Sequence, residues 1–140
     1  MAASIKLEIV TPERVVVDES VRTVVAPGLL GEFGVLPGHT SFLTALKLGA
    51  LRYENSSGKT CYVFIREGFA EVLPDKVTIL AEAAERRKDI DLARAEAAYQ
   101  RAKERMERKS REAEVDFARA RAALSRSIQR IRLASGEERH

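Results

Sequence analysis

Between residues 75 and 135 the chain has neither glycine nor proline, whereas residues 1–74 hold seven of its eight glycines and all four of its prolines. The later part therefore lacks the residues that fix tight turns or break helices, and the earlier part is too heavily punctuated to be one. Cysteine is almost absent as well. A single Cys61 excludes an internal disulfide, fits a reducing compartment, and sits in the apolar run Cys61-Tyr62-Val63-Phe64-Ile65, where it reads as core packing. The only histidines are His39 and His140, so no metal-ligand spacing and no Ser/His/Asp set can be drawn, and neither catalytic residues nor a metal is expected. No run approaches the roughly 18 apolar residues of a membrane span, and residues 1–10 resemble neither a signal nor a transit peptide. The chain is expected to remain where it is made, without inserting into a membrane.

What the chain does have divides in the same way. Its 140 residues suffice for one modest domain with an appendage and exclude two large enzymatic lobes. Short alternating runs at 5–10, 15–17, 21–26, 51–53, 60–65, 70–73 and 77–80 read as half-buried strands, with turns at Asn55-Ser56-Ser57-Gly58 and Leu73-Pro74-Asp75-Lys76. They predict a flattened β-sandwich or barrel. Residues 85–140, rich in Ala, Arg, Glu and Leu, predict helix. This half carries sixteen basic and eleven acidic residues, against eight and ten in residues 1–84, so the basic excess of the chain belongs to the helical arm. Acids interleave with the bases and no nucleic-acid signature occurs, so no nucleic-acid partner is expected.

The densest punctuation is residues 27–39, with four glycines and two prolines among Leu29, Leu30, Phe33 and Leu36. Two readings stand: a structural corner with buried leucines, or a docking loop presenting Glu32 and His39 to a partner. Gly58-Lys59-Thr60 matches the end of a phosphate-binding P-loop, but Tyr53 stands where its first glycine is required and a strand follows in place of a helix.

In the arm, Asp89 is placed to cap a helix in which Leu92, Ala95, Tyr99, Ala102 and Met106 form an apolar seam. Phe117, Ala120, Leu124 and Ile131, with Ile128 beside them, form a second seam. Residues 107–114 between them are almost wholly charged, which predicts two helices folded back as an antiparallel hairpin. Its alanines bury little area, so the hairpin is expected to be marginal, and residues 109–112 can equally continue as helix. Arg94, Arg101 and Arg105 are spaced seven and four apart, and Arg119, Arg126 and Arg130 repeat that spacing, so the geometry puts both trios on one side of the hairpin. They read either as a solvated face with partners such as Glu104 to Arg108 and Glu107 to Arg111, or as a polyanion site, since guanidinium forks match phosphate oxygens.

The run Gly31-Glu32-Phe33-Gly34-Val35-Leu36-Pro37-Gly38-His39, then Leu43-Thr44-Ala45-Leu46-Lys47 and Gly49-Ala50-Leu51-Arg52, resembles the epsilon subunits of F-type ATP synthases. Gly68-Phe69-Ala70-Glu71-Val72, Val77-Thr78-Ile79-Leu80-Ala81, Ile90-Asp91-Leu92-Ala93-Arg94-Ala95 and Val115-Asp116-Phe117-Ala118 agree in the same order, and the resemblance covers essentially the whole chain. It implies a flattened ten-stranded β-sandwich over residues 1–86 and a two-helix hairpin over 87–140. The implied function is that of a non-catalytic central-stalk subunit coupling proton translocation to ATP synthesis. The implied partners are the gamma subunit, the c ring through Glu32, Phe33, Gly34 and His39, and the alpha/beta catalytic head, where an extended arm inhibits ATP hydrolysis. The implied location is peripheral, at the cytoplasmic face of a bacterial plasma membrane. No cofactor is implied for catalysis. Some members bind ATP as a regulator through an Ile/Leu-Asp-x-x-Arg-Ala motif, and by that resemblance Glu85, Ile90, Asp91, Arg94, Ala95, Arg101, Arg126 and Arg130 form the candidate ATP site. The interhelical segment is about two residues longer than in such members, which leaves the register of Arg126 and Arg130 open. Two other classes are a free-standing ATP-sensing module and a coiled-coil adaptor using Leu92, Tyr99, Met106, Phe117 and Leu124.

Overall fold

The computed structural model describes residues 3–107 and 114–136. It divides into two units between Arg87 and Lys88, one residue after the boundary expected. The first unit is built from β1 (Ile5–Val10), β2 (Val15–Gly28), β3 (Gly31–Val35), β4 (Phe42–Leu46), β5 (Gly49–Asn55), β6 (Thr60–Val72) and β7 (Lys76–Arg86). One layer runs β3, the second half of β2, β5, the first half of β6 and the second half of β7. The other runs β4, the second half of β6, the first half of β7, β1 and the first half of β2. All neighbours are antiparallel except β1 and β7.

Ten separate strands were therefore the wrong expectation: among the described residues there are seven, because β2, β6 and β7 each continue from one layer into the other. The crossing has a signature in burial. In β2 the core positions are Val17 and Val21, then Val24 and Ala26; in β6 they are Val63 and Ile65, then Ala70 and Val72; in β7 they are Val77, Ile79 and Ala81, then Ala84. Alternation slips by one residue in each strand, at Arg22, Glu67 and Glu82. A slip of that kind exchanges the faces of everything beyond it. It also explains why the runs 15–17 and 21–26 read as two strands, and 60–65 and 70–73 as two more. Strands β3 and β4 were not anticipated, since Gly31, Gly34 and the half-exposed Phe42 carry no strand signal until β2 and β6 pair with them.

The core joins both layers around Ile5, Leu7, Ile9, Leu51, Tyr53, Ile65 and Ile79, all at most 1 % exposed. Each such side chain contributes about 1.5–3 kcal/mol by leaving water. Cys61 packs against this cluster, half-buried. At one end Arg86 ties the layers together: its Nε donates to the Val16 carbonyl at 3.1 Å and an Nη to the Tyr53 hydroxyl at 3.3 Å, with Glu19 at 3.6 Å. At the β2 crossing Arg22 donates to Glu54 and to the Ser56 carbonyl, holding the β5–β6 turn, which Asn55 closes by accepting from the Ser57 and Lys59 amides.

The second unit has a 3₁₀ turn at Arg87–Asp89, α1 at Leu92–Glu107 and α2 at Glu114–Ser135. Residues 93–100 of α1 share a groove with Ile128, Ile131 and Arg132 near the end of α2, so the helices are antiparallel. In α1 the seam buries Ala95 and Ala102, as its spacing predicts, but Leu92, expected as its first member, is 39 % exposed at the helix start. In α2 Ala120 is buried, but Phe117 is 51 % exposed and Ser127 takes the next seam position, seven residues on from Ala120. Its hydroxyl donates to the Ala123 carbonyl at 2.9 Å, so burial leaves it no unmet donor. Of the charged break expected at 107–114, Glu107 ends α1 and Glu114 starts α2, while 109–112 and the partners Arg108 and Arg111 lie outside the described residues.

Two predictions concern the sandwich. At the β6 crossing Glu67 has φ 48° and Gly68 φ 152°, and a Cβ on Gly68 would stand 2.0 Å from the Leu80 carbonyl oxygen. Gly68→Ala is expected to destabilise the sandwich by about 2–3 kcal/mol in urea unfolding, whereas Gly34→Ala, which meets only the Val25 side chain at 3.9 Å, changes it by no more than about 0.5 kcal/mol. Burial pushes the Tyr53 phenol up from 10.0 to about 12, against the pull of Arg86. The fold thus favours the neutral phenol. That stabilisation is complete below pH 10 and is lost as pH rises through about 12. In an alkaline titration followed by phenolate absorbance, the last tyrosine to ionise is expected to be the one missing in Tyr53→Phe.

Candidate functional site

The candidate residues fall on separate parts of the chain, and each has a local physical setting. Ile90 precedes α1, Asp91 is its cap, and Arg94 and Ala95 are its third and fourth residues. The Asp91 carboxylate accepts from the Arg94 amide at 3.0 Å, and its carbonyl accepts from the Ala95 amide at 3.0 Å. Asp91, not Asp89, is the N-cap; Asp89 ends the preceding 3₁₀ turn. Ile90 and Ala95, both buried, occupy the two positions of a hydrophobic staple. Three of the four defined positions of the Ile-Asp-x-x-Arg-Ala motif therefore start a helix, while the Arg94 side chain is exposed.

Arg101 is exposed, Arg126 and Arg130 are half-buried on α2, and Glu85 is half-buried on β7 in the other unit. At 100° per residue, Arg94 and Arg101 lie to one side of the Ala95–Ala102 seam and Glu96 and Gln100 to the other. The same holds on α2, with Arg126 and Arg130 opposite Ile128 and Arg132. The hairpin's groove, about 700 Å³, belongs to the second side: Ala93, Ala97, Tyr99 and Ile131 complete its lining. None of the candidate arginines lines it. What the hairpin offers a polyanion is thus a face of guanidiniums and not an enclosed cavity.

The residues expected in a docking loop sit mainly on a strand. Glu32, Phe33 and Gly34 belong to β3, at the edge of its layer, and His39 follows in the turn. Arg52 on β5 reaches across β2 to Glu32, its two Nη groups donating to the two carboxylate oxygens at 3.1 and 3.3 Å. Phe42 makes edge contacts with Phe33 (centroids 5.3 Å apart) and with His39 (5.4 Å). His39 Nδ1 lies 2.9 Å from the Thr40 carbonyl oxygen, which can only accept. Arg52 and Phe42 were missed from sequence because nothing local marks them.

A larger surface was missed altogether. Register places Ala45, Phe69, Leu80, Val10 and Val15 in one row across five strands on the outer face of the second layer. Phe69, Leu80 and Val15 are 56–57 % exposed, and Leu43 beside them is 70 % exposed. The row borders a groove of about 980 Å³ that Leu29, Pro12 and Lys47 also line. Beyond it lie Glu71, Thr78, Glu8 and Asp18, with Lys76 and Lys6 in ion pairs to Glu8 and Asp18. A contiguous apolar strip with a charged rim marks an interface. Among the described residues no group of His, Cys, Asp and Glu comes together that would hold a metal.

Fold and surface together define a class: a β-sandwich with a helical-hairpin appendage whose exposed features suit assembly. Residues 4–87 match the beta-sandwich domain of the ATP synthase delta/epsilon chain, and residues 88–135 its long alpha-helix domain. A protein named ATP synthase epsilon chain from Desulfatibacillum aliphaticivorans is 60 % identical over 109 residues, 78 % of this chain and 77 % of that one. One of the same name from Carboxydothermus hydrogenoformans is 52 % identical over 79 % and 81 %. Among solved structures, a chain of the Euglena gracilis mitochondrial ATP synthase superposes with a TM-score of 0.77 at 26 % identity, covering 91 % of this chain and 79 % of that one. A chain of the Tetrahymena thermophila mitochondrial enzyme, at 12 % identity and a TM-score of 0.57, shares the fold, with 93 % and 96 % covered. The chain belongs to the ATP synthase epsilon-chain family and is a non-catalytic subunit of that complex.

The helix start can be tested directly. Asp91→Ala is expected to lower hairpin stability by about 1 kcal/mol, read as a lower melting midpoint of the helical circular-dichroism signal, while Asp89→Ala leaves that midpoint in place.

Proposed function

We propose that this chain is the central-stalk subunit that joins gamma to the c ring, and that its helical arm restrains ATP hydrolysis by the catalytic head. The observation that carries the stalk assignment is the apolar row Ala45, Phe69, Leu80, Val10 and Val15, a contiguous exposed strip beside a charged rim on the sandwich. Gamma is the partner assigned to this face, and the c ring to the end bearing Glu32, Phe33, Gly34 and His39. The solved relatives support the assignment, since one was seen with F1 and c-ring parts and the other in a central stalk with its c ring. No helix among the described residues is long and apolar enough to cross a membrane, and the proposed location is peripheral, at the cytoplasmic face of a bacterial plasma membrane.

The arm supplies regulation in this reading. Most of the fully buried residues of the helices are alanines and one serine, with Leu133 as a large exception, so pairing the helices buries limited area and a ligand with differential affinity shifts compact and extended forms. ATP is the proposed ligand of the compact hairpin, held by Arg94, Arg101, Arg126 and Arg130 with Ile90, Asp91 and Ala95 shaping the helix start. It acts as a regulator, with no chemistry performed on it.

A reconstituted complex tests both parts. Removing residues 89–140 is expected to leave assembly and coupled synthesis intact and to raise ATP hydrolysis severalfold, whereas Phe69→Asp prevents binding to gamma. Failure to assemble on truncation, or normal gamma binding by Phe69→Asp, counts against this division of labour. Calorimetric titration with ATP completes the test. Saturable binding lost in Arg94→Ala and in Arg126→Ala supports the sensor, and absence of binding at millimolar ATP removes ATP from the proposal while leaving the stalk assignment.

A further inference from the structure

The candidate c-ring contact contains a carboxylate that is already spoken for. Glu32 stands on an edge strand with its side chain 53 % exposed, yet both of its oxygens are engaged by the two Nη groups of Arg52, which is 27 % exposed. An exposed pair of single-point contacts has little consequence, because two long side chains must be ordered to make it. This pair differs in being bidentate and in starting from the middle of a sheet, where Arg52 sits between β2 and β6. Arg52 and Glu32 are not opposite one another. Arg52 is beside Val25 and Glu32 beside Pro27, so the guanidinium crosses β2 diagonally to reach an edge residue.

We propose that Arg52 is the positioning residue of the docking end: it holds the Glu32 carboxylate in one orientation, leaving each oxygen a further lone pair for polar groups of the partner loop. Phe42 does the same for the neighbouring apolar contact by bracing Phe33 and His39 edge-on. Preorganisation of this kind strengthens binding by removing the ordering cost that the partner would otherwise have to meet. The inference rests on the docking role proposed for Glu32.

The experiment measures binding of the full chain, in complex with gamma, to purified c rings. Glu32→Gln and Arg52→Gln are each expected to weaken binding by about tenfold, the effect of one lost charge-assisted hydrogen bond, and the double variant is expected to lose no more than either alone. Gamma binding and the sandwich melting midpoint serve as the folding control and stay unchanged. Exchanging the pair, Glu32→Arg with Arg52→Glu, restores the ion pair without restoring a carboxylate at the edge. Binding that remains weak in the exchange variant supports positioning; full recovery would show that the pair only stiffens the edge, and overturns the inference. Loss with Glu32→Gln but not with Arg52→Gln also overturns it while sparing the docking role. No loss with Glu32→Gln overturns both.

Discussion

Three strands of this sandwich belong to both of its layers, and the rest of the structure follows from how they cross. A strand entering a second layer must keep apolar side chains toward the core, and here each one does so by slipping its alternation by one residue. The slips are secured differently. At Arg22 a guanidinium is tied to the β5–β6 turn; at Glu67 a positive φ and a glycine with no room for a Cβ absorb the bend; at Glu82, level with Glu67, Arg66 lies 3.7 Å away. Arg86 then closes the end of β7 against β2 and β5. Without those crossings the two layers would share no strand, and the core formed by Leu7, Tyr53 and Ile79 would have to be closed by loops.

The same crossings shape the outer surface. They align the solvent-facing residues of β4, β6, β7, β1 and β2 so that Ala45, Phe69, Leu80, Val10 and Val15 fall in one row. The sandwich therefore carries an exposed apolar row on one layer and, at the edge strand β3, a carboxylate engaged by Arg52 beside Phe33 and Phe42. A rigid platform with two distinct faces is what a coupling element needs, because torque passes only through contacts that do not yield.

The hairpin obeys the opposite physics. Four of its buried residues, Ala95, Ala102, Ala120 and Ser127, are small and bury little each, while Leu133 near the end of α2 is a large side chain that is fully buried. The start of α1 is well determined, with Asp91 capping and Ile90 and Ala95 placed as a staple, so what is weak is the pairing of the helices and not the first helix itself. A motif associated with ligand binding is in this way largely a helix-start motif, and its one free member is the Arg94 side chain.

Residue types along the chain were enough to establish the two-part architecture, since Gly and Pro mark turns and their absence permits long helix, and enough to establish the α1 seam through its spacing. They also singled out the segment containing Glu32, Phe33, Gly34 and His39. They did not locate β3 and β4, whose glycines and exposed side chains become strand only by pairing with β2 and β6, and they cut β2 and β6 in two where the alternation slips. The cap was assigned two residues early, to Asp89 at the end of the 3₁₀ turn, because either aspartate suits the pattern. Tertiary structure alone decided that Arg52 meets Glu32, that Arg86 meets Tyr53, and that five apolar residues from five strands form a row. The reason is register: which side chains become neighbours across a sheet depends on the alignment of segments far apart in the chain, and no local pattern encodes that alignment.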